Sequence, residues 1–467
     1  MSVHVFSGPT VPAARVREIL PAAVTHPPVR HGDLMRLDAG PGDTVLIVDG
    51  LWHQSAPVRH KEILALLARG VAVVGAASMG ALRAAELAPY GMVGVGRIFE
   101  DYRSGVLDAD DEVAVLHTDD GRPLSEALVN LRAALTRAAA DGQLHTTEAE
   151  YLVGLARSLP YTARSWTALR RLAADEGMEG PFLRADAWRR THPCDAKRED
   201  AEQALTLLAA GLPPGPGAGA WAVEPWQTSF VRYWQAAFRP AAAPDGQPVS
   251  LLALLHHQQL YDPGFADRWR TRVLAAIAQQ TCDGLCRAAR AQAVERCALR
   301  SMAAAGVTGT GLSGDQLAHW LTEEEASQLP PEEALVRVVV RSARLDGAWT
   351  VWPATVAEAG DLLGSVFRTA RVVNAAFALN ATIEAANPHH TTAHLSTERI
   401  TAHLAQHWGL PEGCSRPALD AAARDRAFRD VAGAVEVARA FYLSARTGAS
   451  ATSAPLTAGG ARQSPRT

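Results

Sequence analysis

Cysteine is scarce: the 467 residues hold five, Cys194, Cys282, Cys286, Cys297 and Cys414. So few, and odd in number, they exclude a disulfide framework and suit a reducing compartment. Long hydrophobic runs are missing too. Hydrophobic residues make up 48% of the chain, but no stretch approaches the roughly 20 apolar residues that span a bilayer. A soluble globular protein of two or three domains, with no membrane role, is expected. The opening MSVHVFSGPT lacks the basic-then-apolar plan of a signal peptide, so a cytoplasmic location is expected. Charge of one sign is also missing. The net charge is −4 with acids and bases interspersed, which leaves no electrostatic footprint for nucleic acid.

What is present changes character along the chain. Val3–Phe6 is a short apolar strand, "TVLIVDG" a fully buried one, "PVRHKEILALLARG" a helix ended by Gly70, and "VAVVG" another strand. Continuous apolar strands separated by amphipathic helices predict a mostly parallel sheet covered on both faces. From "SEALVNLRAALTRAA" onward the patterns are helical, and "TTEAEYLVGLARSL" carries a capping box, Thr147 with Glu150. "LPPGPGAGA" (212–220) and "RPAAAPDGQP" (239–248) interrupt this part. The expected fold is therefore an α/β amino-terminal domain over 1–135 and a largely α-helical region over 136–445. The helical region divides near 212–248, and a disordered tail fills 446–467.

In "VAVVGAASMGALRAAEL" a serine, Ser78, stands where strand gives way to helix. That is the carboxyl edge of a parallel sheet, where open α/β sheets bind ligands. The following helix aims its amino terminus at the same spot, so the Met79 and Gly80 amides are expected to favour developing negative charge. Small neighbours permit the sharp turn of a nucleophile elbow. The spelling Gly-Ala-Ala-Ser-Met-Gly differs from the esterase pattern, however, and Ser78 also suits a helix N-cap.

A nucleophilic serine needs a base, and the preceding helix offers two. His60 lies on the apolar stripe with Ile63, Leu64 and Leu67, which turns it inward. Lys61 lies beside it over Leu64, Ala65 and Ala68, with its amine toward the sheet edge. A lysine base near neutral pH needs its pKa lowered by about 3 units through desolvation or a nearby dipole. Asp49, ending "TVLIVDG", is at the same edge and would orient a base, bind substrate or cap a turn. Arg83 on the helix after Ser78 is a further candidate for binding substrate.

Elsewhere, His390 with His394 and His403 with His407 are spaced i, i+4, a spacing able to hold zinc. Without a nearby thiol or carboxylate they read as solvent-exposed side chains, and no metal is expected. Cys282, Cys286 and Cys297 read as buried helical cysteines. Trp221, Trp226, Tyr233 and Trp234 suit either the core of a helical unit or an anchor for a partner. A nucleotide at the Gly75–Gly80 turn is disfavoured, because the turn lacks the residues of a P-loop or a dinucleotide fold.

The strings "SGPT", "RHGDL", "VLIVDG", "HKEIL", "GAASMGALRAAEL", "GMVGVGRIFEDYRSG" and "DDEVAVLH", in that order within roughly the first 120 residues, resemble the TfuA family. The resemblance covers about a quarter of the chain. It implies a role beside a YcaO-type enzyme in peptide backbone thioamidation within a ribosomally synthesised peptide pathway. A ubiquitin-like sulfur carrier bearing a thiocarboxylate would be hydrolysed by a serine–lysine pair to release sulfide, with no cofactor. The serine falls on Ser78 and the lysine of "HKEIL" on Lys61. Met79 and Gly80 would hold the oxyanion. The rival expectation is a non-catalytic adaptor that docks precursor peptide or carrier onto the YcaO enzyme.

Overall fold

The computed structural model describes residues 2–52, 55–118, 121–211, 228–279, 291–345 and 352–447. Cys282, Cys286, Trp221, Trp226, the 212–220 stretch and the tail from 448 lie outside them. The chain forms two compact units, Met1–Trp226 and Gln227–Thr467.

In the first unit, β1 (Val3–Phe6), β2 (Ala23–His26), β3 (Thr44–Ile47), β4 (Ala72–Ala76) and β5 (Val93–Val95) form one parallel sheet in the order β2-β1-β3-β4-β5. The period of two sorts its side chains between two cores. Val45, Ile47 and Val73 face one side, with α3 (His60–Ala68), α4 (Met79–Leu87) and α5 (Arg97–Arg103), after a short α2 (Asp33–Arg36). Leu46, Val48 and Val74 face the other, with α1 (Ala13–Ile19) and α10 (Ala196–Ala209). Between α5 and α10, the helices α6 (Leu128–Ala140), α7 (Thr146–Ser158), α8 (Trp166–Asp175) and α9 (Glu179–Thr191) build their own core of Leu131, Leu152, Leu169 and Phe182.

Two boundaries differ from expectation. Residue 135 falls inside α6, and the first unit runs on to Trp226. The reason is α10, which returns to seat Ala201, Ala204 and Leu205 on the sheet. The helix expected to start with a Thr147–Glu150 box starts earlier, at Thr146, where Glu148 accepts the His145 N–H at 2.9 Å.

The strand order reverses direction between β1 and β3. That switch point leaves a crevice at the carboxyl ends of the strands, and it decides where the site lies.

The second unit packs helices around Leu254, Phe265, Trp352, Val373, Leu404 and Phe428. Its central helix, Leu251–Tyr261, is buried on most sides. "RPAAAPDGQP" is more than a break: Pro240–Ala242 pairs antiparallel with Val249–Ser250, and Asp245 and Gly246 take positive φ in the turn. Tyr233 packs on the core against Trp352, and Cys297 is buried. His390, His394 and His407 are exposed. His403 is half-buried, with its Nε2 shielded from solvent and, among the described residues, without a hydrogen-bond partner. No single described helix is long and apolar enough to cross a membrane.

Candidate functional site

The turn into α4 is strained in a defined way. Ala77 has φ 67°, a left-handed conformation that a residue with a Cβ seldom adopts. The Ser78 N–H donates back to the Ala76 carbonyl at 2.8 Å, closing a tight γ-turn. Two glycines hold it in place. A Cβ on Gly80 would sit 1.8 Å from the Ile47 carbonyl oxygen, and one on Gly75 2.1 Å from that of Gly80. The backbone contact they permit binds α4 against β3 and β4 and offsets strain of order 1–3 kcal/mol.

Ser78 occupies the N-cap position of α4, yet its side chain makes no capping hydrogen bond. The role that would explain it as a helix cap is therefore unfilled. The two amides expected to be open differ. Among the described residues the Met79 N–H has no backbone acceptor, but the Gly80 N–H donates to the Val48 carbonyl at 3.2 Å. Gly80 thus ties α4 to the end of β3, and its amide is not available to an oxyanion.

Asp49 lies just past β3, across the crevice from the loop after β1. Its Oδ2 accepts the Gly8 N–H at 2.9 Å and the Thr10 N–H at 3.0 Å, and its Oδ1 accepts the Thr10 hydroxyl at 2.6 Å. The "SGPT" loop is thereby fastened to the "VLIVDG" strand. Asp49 and Ser78 line one cavity of about 190 Å³, together with Trp52, Asp111, His117 and Tyr161.

Lys197, from the first turn of α10, lines the same cavity. Its side chain is 5% exposed, and Nζ donates to the Val113 carbonyl at 2.9 Å and stands 3.9 Å from Asp49 Oδ1. Burial pushes its ammonium below the usual lysine range, against the pull of Asp49, Asp195 and Glu126.

The residues of α3 and α4 singled out as partners for Ser78 lie elsewhere. Lys61 is half-buried in the first turn of α3 and does not line the cavity. His60 was expected inward, but its side chain is 46% exposed and Nε2 lies 2.8 Å from Glu86 Oε2. Arg83 joins that cluster, donating to Glu86 at 2.6 Å. The cause is Glu62. It accepts the Gly32 N–H at 2.8 Å and the Arg59 N–H at 3.1 Å and sits 2.7 Å from His31 Nδ1. Anchoring Glu62 inward with Ile63, Leu66 and Leu67 rotates His60 out, since successive helical residues lie about 100° apart. "RHGDL" and "HKEIL" are thus two halves of one structural joint.

The "DDEVAVLH" strap forms the cavity's other wall and is pinned from two helices, α6 and α10, and from the loop between α7 and α8. Arg132 donates to Glu112 at 2.7 Å, the buried Arg164 donates to Asp111, and Lys197 holds the Val113 carbonyl. Sequence reasoning missed Lys197. A signal existed: Lys197, Ala201, Ala204, Leu205 and Leu208 are spaced as one stripe, but "AKREDAEQALTLLA" is so charged that it passes for a solvated helix.

Residues 49–165 match the family model described as TfuA-like protein. No curated protein matches the chain. The matched segment begins at Asp49 and contains Ser78, the glycines that shape its turn and the whole strap. It is through these residues that the segment 49–165 is similar to the TfuA family.

Proposed function

We propose that the first unit is a hydrolase in which Ser78 attacks the thiocarboxylate at the end of a ubiquitin-like sulfur-carrier protein, releasing sulfide for a YcaO-type enzyme that thioamidates a peptide backbone. The observation that carries this reading is the state of Ser78. Its hydroxyl caps nothing, sits on a strained turn, and borders a cavity at the switch point of a parallel sheet. The TfuA-like segment supports the choice of substrate and partner.

The chemistry follows from the groups present. A lysine amine takes the Ser78 proton as Oγ bonds to the thiocarboxylate carbon, and the Met79 N–H with the α4 dipole favours the tetrahedral oxyanion. The lysine returns its proton to sulfur, the C–S bond breaks, and HS⁻ departs. Water then hydrolyses the acyl-serine to the carrier carboxylate, again through the amine. The sequence supplies two candidate amines, Lys61 and Lys197.

The test is sulfide release by the purified protein from a thiocarboxylated carrier encoded near it, compared with Ser78→Ala. Loss of release in a folded Ser78→Ala protein is expected. A wild-type rate in that variant would favour the adaptor role, in which the protein docks carrier or precursor peptide on the YcaO enzyme. Co-purification with that enzyme is expected in either case.

A further inference from the structure

We infer that the "DDEVAVLH" strap is a strand-pairing site: its edge at Val115 and His117 takes the extended carboxyl-terminal tail of the carrier protein by main-chain hydrogen bonds and leads that tail to Ser78. This rests on the hydrolase reading above and deepens it.

The strap is one side of a short antiparallel ladder. His117 bridges to Pro123, the Leu124 N–H donates to the Leu116 carbonyl at 2.7 Å, and the Thr118 N–H donates to the Arg122 carbonyl at 2.9 Å. The Leu116 N–H is taken up from the same side by Ser125 Oγ at 2.8 Å. The main-chain groups of successive strand residues point to opposite edges. Leu116 and Thr118 therefore turn theirs to the 122–125 segment, and Val115 and His117 turn theirs away from it. Among the described residues, neither the N–H nor the carbonyl of Val115 or of His117 has a hydrogen-bond partner.

An open strand edge is where another strand adds. This one is half-buried and faces the crevice. Val115 and His117 both line the cavity of Ser78, and Val115 also lines a neighbouring cavity of about 320 Å³. The two cavities share Pro9, Val115 and Lys197, so they form one path along the strap.

The chemistry of the edge selects the occupant. One donor and one acceptor on every second residue, about 6.8 Å apart, match the repeat of an extended peptide. Trp52 and Tyr161 in the first cavity, with Leu124 and Trp166 in the second, offer apolar surface to its alternate side chains. Leu124 is 53% exposed and marks the outer end. Because strap and serine line one cavity, a chain end that pairs here finishes at Ser78 with its terminal carbon. The edge is also set before the tail arrives: Arg132 holds Glu112, Arg164 holds Asp111, and Lys197 holds the Val113 carbonyl. A preorganised edge lowers the ordering cost of binding.

The test uses the full chain and a synthetic peptide of about ten residues, enough for one strand, copying the end of the carrier used for sulfide release and closed by a carboxylate. Amide hydrogen exchange read by NMR should slow at Val115 and His117 when the peptide saturates the protein. Leu116, already bonded to Ser125, should not change. A series of peptides, each N-methylated at one residue, should then bind with a period of two: Kd rises about tenfold or more where an N–H meets the strap, and stays near the parent value at the residues between. The series needs no variant of the protein, so misfolding does not enter. Unchanged exchange at Val115 and His117, or N-methyl effects without alternation, would overturn the pairing. Protection of the same amides by the precursor peptide and not by the carrier tail would overturn the occupant. The hydrolase reading is separated by Ser78→Ala. Alternation beside an active Ser78→Ala would support the pairing and remove the hydrolase, whereas an inactive Ser78→Ala without protection or alternation would remove the pairing and keep the hydrolase.

Discussion

Helices α3 and α10 begin at the same sheet, and each brings one lysine and one buried acid in its first turns. In α3 the acid is the deeper group: Glu62 is 1% exposed and knots the 31–32 loop to the helix, while Lys61 stays half-buried. In α10 both are deep. Asp200 accepts the Arg97 and Ile98 N–H groups at the start of α5, and Lys197 reaches the cavity. The local sequences suggest the reverse. "HKEILALLA" sets its lysine beside an apolar face, whereas "AKREDAEQALTLLA" looks solvated. What differs is the surface across from each helix. The first turn of α3 meets a loop and opens to solvent. That of α10 is roofed by the strap and the end of β3.

The sharpest way to break this comparison is at Ser78, which shares a cavity with one of the two lysines. Ser78→Ala is expected to lower kcat for sulfide release by about four to six orders of magnitude, as loss of a nucleophile does. Its melting temperature should stay near wild type, because the hydroxyl caps nothing. A large drop in stability with partial activity would show that Ser78 is structural.

The next effect is on folding. Gly80→Val would drive a side chain into the Ile47 carbonyl, 1.8 Å from the first added carbon, and separate α4 from the sheet. A loss beyond about 4 kcal/mol, measured by urea denaturation, is expected. Gly80 is thus a packing residue, and a folded Gly80→Val protein would contradict the close approach of helix and strand.

Comparing the buried groups of α3 and α10 directly gives an intermediate contrast. Glu62→Gln puts an amide among donors and should cost about 1.5–3 kcal/mol. Lys197→Met exchanges a buried amine for an apolar chain of similar shape and should shift stability by about 1 kcal/mol or less in either direction. Equal costs would mean that Lys197 is held as a structural ion.

The smallest effect belongs to His60. Its exposed pairing with Glu86 is worth at most about 1 kcal/mol, so His60→Ala should barely move the denaturation midpoint. A loss of several kcal/mol would restore the inward histidine that the apolar stripe suggested.

The parallel sheet was legible because each buried strand is a short apolar run and each covering helix keeps its stripe. Ser78 was legible because small residues at a strand-to-helix change leave few alternatives for the backbone. The facing of α3 was not, since one buried carboxylate rotated the helix away from its apolar average. Nor was the extent of the first unit, since the helix that closes the second face of the sheet comes after four others.

The sequence by itself determined the sheet, the turn at Ser78 and the family segment, all of which depend on patterns within a dozen neighbouring residues. Only the tertiary structure decided which lysine lines the cavity with the serine. Burial of an amine is a property of what packs across from it, and here that is Val113 and Asp49, contributed by segments that precede Lys197 by 84 residues and more.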